Sequence, residues 1–273
     1  MDRHLEKTGE VTLLDHLEDL RWHLIRSTLA VFLCGLVAFF AKRLIFDVLL
    51  FGPTHVDFLT YEVLCKLSSG FCFESDMPFS VQSRTMGGQF SVHIWTSITA
   101  GFILAFPYIL YELWNFVSPA LHTQERKLAS GFIFISSLLF FVGVVFGYFL
   151  VAPLSINFLG RYHVSGQVLN EFDIDSYIGL VRSSVIACGL IFELPIVIFF
   201  LTKIGMVNPG GLKKYRKFAL VGVLIISAII TPPDLLSQIL VAIPVLILYE
   251  ISILISGWVL TKQTRNRSSQ STQ

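Results

Sequence analysis

The amino-acid sequence predicts an all-α protein with six transmembrane helices. Of its 273 residues, 54% are hydrophobic and only 14% are charged, and the mean hydropathy is +0.71. Soluble domains are about 45–50% apolar and about 25% charged, so this chain is far more apolar than they are. Several uninterrupted apolar runs reach the roughly 20 residues that a helix needs to cross a bilayer. The net charge of +1 gives no basic bias that would point to nucleic acid.

An amphipathic helix is predicted over residues 12–26, ahead of the first span. Leucines recur there at three- and four-residue spacing and form one apolar stripe, which consists of Leu13, Leu17, Leu20 and Leu24. Such a helix would rest on the membrane surface and run into the first span.

Six spans follow, and with the polar tail 261–273 they make the chain 1–273 a single membrane domain. Their approximate limits are 24–51, 92–116, 128–151, 177–201, 217–231 and 235–260. The fifth span is short, because about 15 residues cover about 23 Å of a bilayer core that is about 30 Å thick.

The distribution of lysine and arginine predicts the orientation. Six spans place both termini on one side of the membrane. Of the 20 Lys and Arg residues, 14 lie in segments on the side of the termini, five lie on the other side, and Arg182 lies within the fourth span. By the positive-inside rule, both termini are cytoplasmic.

A short polar bend over residues 114–127 separates the second and third spans on the same cytoplasmic face. Pro119 breaks the helix there, since a helix usually ends at or before the residue that precedes a proline. Glu125 and Arg126 lie near its end. Taken alone, the bend is better explained as a capped, solvated turn, and only the sequence as a whole favours a functional role. Glu112, just before it, is expected at the membrane interface.

Two carboxylates lie inside predicted spans, where an ionisable side chain is costly and by default indicates function. Glu193 is placed near mid-membrane in the fourth span, and either it is a hydrogen-bonded structural group or it faces a polar cavity. Glu250 lies nearer the cytoplasmic end of the sixth span, where structural and functional roles are equally plausible.

The four cysteines divide into two pairs. Cys34 and Cys188 lie in apolar runs and are expected to pack there. Cys65 and Cys72 lie in the first long loop, on the predicted outer face, where a disulfide is possible; reduced thiols are an equally simple alternative.

Sequence motifs of enzymes are missing. The chain has no Gly-Lys-Ser/Thr phosphate loop, no His-Glu-x-x-His and no Gly-x-Ser-x-Gly. We therefore expect neither an enzyme nor a bound cofactor or metal. The two halves do not repeat, unlike those of many secondary transporters.

Motifs along nearly the whole chain resemble those of the TatC family, the core component of the twin-arginine protein translocase. They are HLEDLRWHL at 16–24, FVSPALHTQER at 116–126, FELP at 192–195, TPPDLLSQ at 231–238, AIP at 242–244 and LYEIS at 248–252. The resemblance implies six helices in a cupped, concave arrangement.

The resemblance also implies a binding site for signal peptides that carry two adjacent arginines. Its residues here would be Asp19, Arg21, Leu24, Phe116, Glu125 and Arg126. Asp19 and Glu125 would be the recognition carboxylates. The family usually has Glu in place of Asp19 and a second Arg in place of His23.

The function that the resemblance implies is that of a signal-peptide receptor and scaffold. It would export folded proteins across the cytoplasmic (inner) membrane with the proton-motive force. The implied partners are twin-arginine signal peptides, single-span proteins of the TatA and TatB type, the lipid bilayer and further copies of the chain. Docking of the single-span partners would involve Glu193, Glu250 and Asp234. The alternative is a proton-coupled small-solute transporter that uses Glu193 and Glu250.

Overall fold

The structure is a computed structural model that describes residues 13–67, 77, 79–117, 129–231 and 235–270. Nearly all of these residues are helical. Six helices are long and apolar enough to cross a membrane, and they cover Glu18–Phe40, Leu44–Lys66, Gly88–Phe116, Gly131–Arg161, Ile174–Lys203 and Gln238–Thr261. The prediction of an all-α, multi-span membrane protein is therefore confirmed.

The predicted amphipathic helix and most of the first span form one continuous helix, α1 (Leu13–Phe40). The chain continues as a π-helical segment over Leu44–Leu50 and turns at Gly52–Thr54, where Pro53 occupies the first turn. Helix α2 (Leu59–Leu67) follows. The apolar stretch Leu44–Lys66 is thus broken in its middle, although its composition alone would allow it to span.

Helix α3 (Gly88–Val117) packs antiparallel to α1. His93, near the start of α3, stacks on Phe39 at the end of α1, with ring centroids 4.0 Å apart. Between the ends of this helix pair the two backbones touch, because a Cβ atom added to Gly101 would lie 2.6 Å from both the Val31 carbonyl oxygen and the Gly35 nitrogen. Only a residue without a side chain permits this approach.

The third and fourth predicted spans are each interrupted helices. Helix α4 (Ala129–Phe146) passes through a π-helical segment at Gly147–Val151 into α5 (Ala152–Arg161). Helix α6 (Ile174–Ile191) and helix α7 (Leu194–Lys203) are separated by Phe192 and Glu193, and Pro195 lies in the first turn of α7. A short strand β1 (Ser80–Gln82) pairs in parallel with β2 (Glu171–Asp173) next to the start of α6.

The last elements are α8 (Pro209–Lys214), α9 (Arg216–Ile230) and α10 (Leu235–Gln270). Helix α9 has 15 residues and is not among the six helices long enough to span by themselves. Helix α10 extends through most of the predicted tail 261–273, because no glycine or proline interrupts it between Thr261 and Gln270.

Helix α6 lies at the centre of the packing and contacts α3, α4, α5 and α9. Its buried face, together with residues from α3 and α5, forms one cluster that includes Val92, Ile156, Tyr177, Ile178 and Val181. A second cluster joins α6 to α9 and α10, and a third joins α3 to α4. In the third cluster the rings of Phe106 and Phe140 stack with centroids 3.5 Å apart.

Candidate functional site

The buried carboxylate of Glu112 links α1 to α3. It lies at the end of this helix pair where the predicted recognition residues Asp19 and Phe116 are found. Glu112 is only 3% exposed. Its Oε1 accepts a hydrogen bond from the Tyr108 hydroxyl at 2.6 Å, one helical turn earlier on α3. Its Oε2 lies 2.5 Å from Nδ1 of His23 on α1. The carboxylate is therefore satisfied by one neutral donor of its own helix and by one imidazole of the neighbouring helix.

Sequence reasoning predicted only that Glu112 lies at the membrane interface, and the structure adds that its side chain is buried between two helices. The signal that could have identified its role is its isolation, since Glu112 is the one charged residue of α3. A carboxylate within an apolar run requires a partner, and His23 and Arg26 are the basic residues on the facing turns of α1. Arg26 interacts electrostatically with Glu112.

The three predicted recognition residues on α1 are solvent- or lipid-facing. Asp19, Arg21 and Leu24 are exposed, and Leu24 is 65% exposed. Asp19 lies one turn before His23 on the same face of α1, about 6 Å along the helix axis. Because α1 and α3 are antiparallel, this places Asp19 at the level of Phe116, beyond Glu112.

Phe116 is half-buried, and its ring meets the His23 ring edge-on with centroids 6.1 Å apart. Helix α3 ends one residue later, at Val117. Glu125 and Arg126, the predicted recognition residues of the bend, lie outside the described residues. The described structure therefore brings Asp19 and Phe116 to one end of the α1–α3 pair and adds His23 and Glu112 to them.

Glu193 lies in the break between α6 and α7 and is 8% exposed. Its Oε2 accepts a hydrogen bond from the Ser136 hydroxyl on α4 at 2.5 Å. Its Oε1 is buried and has no hydrogen-bond partner within the described part of the chain. One oxygen thus fits the structural interpretation of this residue, while the other has no partner among the described residues.

Glu250 forms an ion pair at the surface. Its Oε2 lies 2.7 Å from Nη2 of Arg216, and the two side chains are about half exposed. Pairs of this kind contribute about 0.2–1 kcal/mol, so structural support from it is small. Asp234, the third predicted docking residue, lies outside the described residues.

The cysteines agree in part with expectation. Cys65 is disulfide-bonded, and Cys34 and Cys188 are free. Cys72, the predicted partner of Cys65, lies outside the described residues, so the Cys65–Cys72 pairing stays a prediction. Among the side chains that the structure describes, no group of three or more His, Cys, Asp or Glu could hold a metal ion.

The fold and this site define a class: a multi-pass helical membrane protein whose first two long helices are joined by a buried carboxylate, next to an exposed acidic residue. A family model described as "Sec-independent protein translocase protein (TatC)" matches residues 15–244. The chain therefore belongs to the TatC family of Sec-independent protein translocases.

Individual relatives agree with this assignment. A Sec-independent protein translocase protein TatC of Blattabacterium sp. subsp. Periplaneta americana is 43% identical over 261 residues, which are 93% of this chain and 98% of the relative. The TatCy protein of Bacillus subtilis is 36% identical over 252 residues, covering 92% of this chain and 90% of its own length. Neither these relatives nor the family model supports the small-solute transporter.

Solved structures with the same fold are crystal structures of the twin-arginine translocase receptor TatC. One is 32% identical with a TM-score of 0.67 and covers 90% of this chain and 99% of its own. Another, in DDM, is 33% identical with a TM-score of 0.70 and covers 88% of this chain and 99% of its own. The predicted family, fold and membership of a protein translocase are confirmed.

Proposed function

We propose that this chain is the signal-peptide receptor and scaffold of a twin-arginine translocase, and that it binds paired arginines where α1 and α3 end. The observation that carries the proposal is the position of Asp19. It is an exposed carboxylate on a helix held firmly against α3, at the level of Phe116. Phe116 and Glu125 both belong to the bend predicted over residues 114–127.

Two carboxylates on two different elements suit two adjacent arginines. A guanidinium presents a planar fork of donors that matches both oxygens of a carboxylate, whereas a lysine ammonium is a point charge. Asp19 is held by α1, and Glu125 would be held by the bend after α3. Lysines in the same positions would keep the charge and lose the paired hydrogen bonds, which is the basis of the expected discrimination.

Most of the affinity must come from apolar contacts. Exposed ion pairs contribute about 0.2–1 kcal/mol each, while micromolar binding requires about 8 kcal/mol. Large apolar side chains stand exposed along α1 and supply the surface for an apolar signal segment, namely Leu24, Leu29, Phe32 and Leu36. In this proposal the carboxylates provide specificity and the helix face provides affinity. Arg21 and Arg126 flank the two recognition carboxylates.

We propose that the protein lies in the cytoplasmic (inner) membrane and that both of its termini are in the cytoplasm. The excess of Lys and Arg on the side of the termini supports it. Five of these basic residues lie between the end of α7 and the first turn of α9: Lys203, Lys213, Lys214, Arg216 and Lys217. Because the chain has no nucleotide-binding motif, the proton-motive force would supply the energy, about 2.3 kcal/mol per charge per 100 mV.

Single-span partners of the TatA and TatB type would dock near Glu193, whose buried Oε1 has no hydrogen-bond partner among the described residues. The buried Oε1 of Glu193 supports such a contact, since an unsatisfied carboxylate oxygen inside a membrane favours any donor that can reach it. Glu250 and Asp234 would extend this docking region, and copies of the chain would associate within the complex.

Photo-crosslinking tests the receptor function. A photoreactive residue is placed at position 20, beside Asp19, in the full chain in membrane vesicles, and a precursor with an Arg-Arg signal is compared with its Lys-Lys variant. We expect crosslinks with the Arg-Arg precursor alone. Equal crosslinking of both precursors, or none, would contradict the proposal. With the probe at position 20, substitution Glu125→Gln should abolish the arginine dependence, and full retention would remove Glu125 from the site.

A further inference from the structure

The buried carboxylate that joins α1 to α3 is closed by a side chain that can be displaced. His23 is 21% exposed, whereas the Glu112 side chain that it covers is 4% exposed. We infer that Glu112 is a further acceptor for a signal arginine, and that His23 occupies this acceptor until the signal arrives. The inference rests on the receptor function proposed above and adds a third carboxylate to the arginine site.

The hydrogen bonds of Glu112 leave room for a guanidinium once His23 moves. An ionised carboxylate only accepts, so Nδ1 of His23 is the donor to Oε2. Tyr108 takes one lone pair of Oε1, and each carboxylate oxygen has about two. Displacement of the imidazole would empty Oε2 and leave one lone pair on Oε1. Both oxygens would then be available to the two parallel N–H groups of an arginine, with Tyr108 still bound.

The position of Glu112 allows it to act together with Asp19 on two adjacent arginines. Asp19, His23 and Arg26 lie on one face of α1, and His23 touches Glu112. The Asp19 and Glu112 acceptors are therefore offset by about 6 Å along the helix axis. Neighbouring Cα atoms in an extended peptide are about 3.8 Å apart, and arginine side chains are long enough to cover the remaining distance. An arginine bound at Asp19 would place its neighbour over His23.

A guanidinium is the stronger competitor for this carboxylate. It keeps its positive charge at all physiological pH values and offers five donors, of which two can engage Glu112 together. An imidazole offers the same carboxylate a single hydrogen bond through Nδ1. A lysine of a Lys-Lys signal would also make only single-point contacts, so exchange at Glu112 would add to the discrimination against lysine.

A purely structural clamp makes the opposite prediction for loss of His23. If His23 only holds α1 against α3, then His23→Ala loosens the site and weakens binding of the Arg-Arg signal. If His23 occupies the arginine acceptor, the same substitution frees that acceptor and strengthens binding. The sign of the effect therefore separates the two interpretations.

The test measures the precursor concentration that half-saturates crosslinking to a photoreactive residue at position 24 of the full chain in membrane vesicles. For His23→Ala we expect about fivefold tighter binding of the Arg-Arg precursor, because a charge-assisted hydrogen bond no longer has to be broken. For Glu112→Gln we expect about tenfold weaker binding, because an amide offers one acceptor oxygen instead of two. Binding of the Lys-Lys precursor should change less than about twofold in either variant.

Two further variants keep the result interpretable. His23→Asn retains a donor near the position of Nδ1 and should bind within about twofold of the unsubstituted chain. Glu62→Gln removes an exposed carboxylate from α2, which lies at the opposite end of α1, and should have no effect. The amount of each variant in the membrane is measured in parallel as a check on folding.

Weaker binding of Arg-Arg signals by His23→Ala, or unchanged binding by Glu112→Gln, would overturn the inference. The receptor function would still stand in that case, because it rests on arginine-specific crosslinking of the unsubstituted chain. Crosslinking that is equal for Arg-Arg and Lys-Lys precursors in the unsubstituted chain would overturn both.

Discussion

Close packing of α1 against α3 at Gly101 should control the arginine site, and Gly101→Ala tests this. The added Cβ would lie 2.6 Å from backbone atoms of Val31 and Gly35, whereas ordinary contact begins at 3.4 Å. The helices would have to separate locally by about 0.8 Å, since backbone atoms cannot rotate away. Overpacking of this kind costs about 1–3 kcal/mol. Replacing a helical glycine by alanine returns about 0.5–1 kcal/mol, so the net loss of stability is between about 0 and 2.5 kcal/mol.

The assay is thermal unfolding of the purified full chain in detergent, together with crosslinking of the Arg-Arg precursor. We expect a lower melting temperature and weaker arginine discrimination, because the displaced α1 would carry Asp19 and His23 away from Phe116 and Glu112. Gly179→Ala on α6 is the matched control, since a Cβ there meets no atom within 4 Å and should stabilise the protein. Equal melting temperatures for the two variants would refute the close packing.

Three further substitutions test two buried hydrogen-bonded side chains and the predicted disulfide, all away from this site. Tyr61 is 2% exposed, and its hydroxyl lies 3.0 and 2.9 Å from two proline carbonyl oxygens; Tyr61→Phe should therefore destabilise the chain by about 1–3 kcal/mol in thermal unfolding. Ser136→Ala removes the described donor to Glu193 and should cost a similar amount, about 1–3 kcal/mol, in the same assay. If Cys65 pairs with Cys72, mass spectrometry without reduction should find two of the four cysteines closed to alkylation, and Cys72→Ser should cost about 2–3 kcal/mol.

Matched controls accompany these variants. Tyr162 is 59% exposed, so Tyr162→Phe should leave the melting temperature unchanged. Ser183 is exposed on α6 and bonds only its own helix, so Ser183→Ala should also have little effect. A stable Tyr61→Phe or Ser136→Ala variant would show that the corresponding buried oxygen finds another donor. Four alkylated cysteines in the unreduced protein would contradict the disulfide.

Most of the helices follow from the sequence because each is an apolar run long enough to span a bilayer. Helix α3 was predicted as 92–116 and is found at Gly88–Val117. The prolines at 53 and 195 also mark real breaks. The amphipathic helix and first span form one rod because neither glycine nor proline lies between them. Composition alone does not indicate that the apolar stretch 44–66 is interrupted at Gly52–Thr54, since the whole stretch is apolar enough to count as a candidate span.

The site is less predictable because it depends on contacts between distant residues. Asp19 could be proposed from a motif within one helix. The pairing of His23 with Glu112 joins residues 89 apart in the chain. It requires the antiparallel register of α1 and α3, which Gly35 and Gly101 determine by allowing the backbones to touch. Helical periodicity within either segment contains no information about that register.

Equilibrium binding of signal peptides tests the central claim most directly. Arg-Arg and Lys-Lys signal peptides are titrated into the full chain in lipid nanodiscs, with and without the paired substitutions Asp19→Asn and Glu125→Gln. The account predicts at least about tenfold tighter binding of the Arg-Arg peptide, which corresponds to about 1.4 kcal/mol. It also predicts that the double substitution reduces this preference to the part that Glu112 contributes and leaves Lys-Lys binding unchanged. Equal affinities in the unsubstituted chain, or a preference that the double substitution does not reduce, would contradict a receptor for paired arginines at this site.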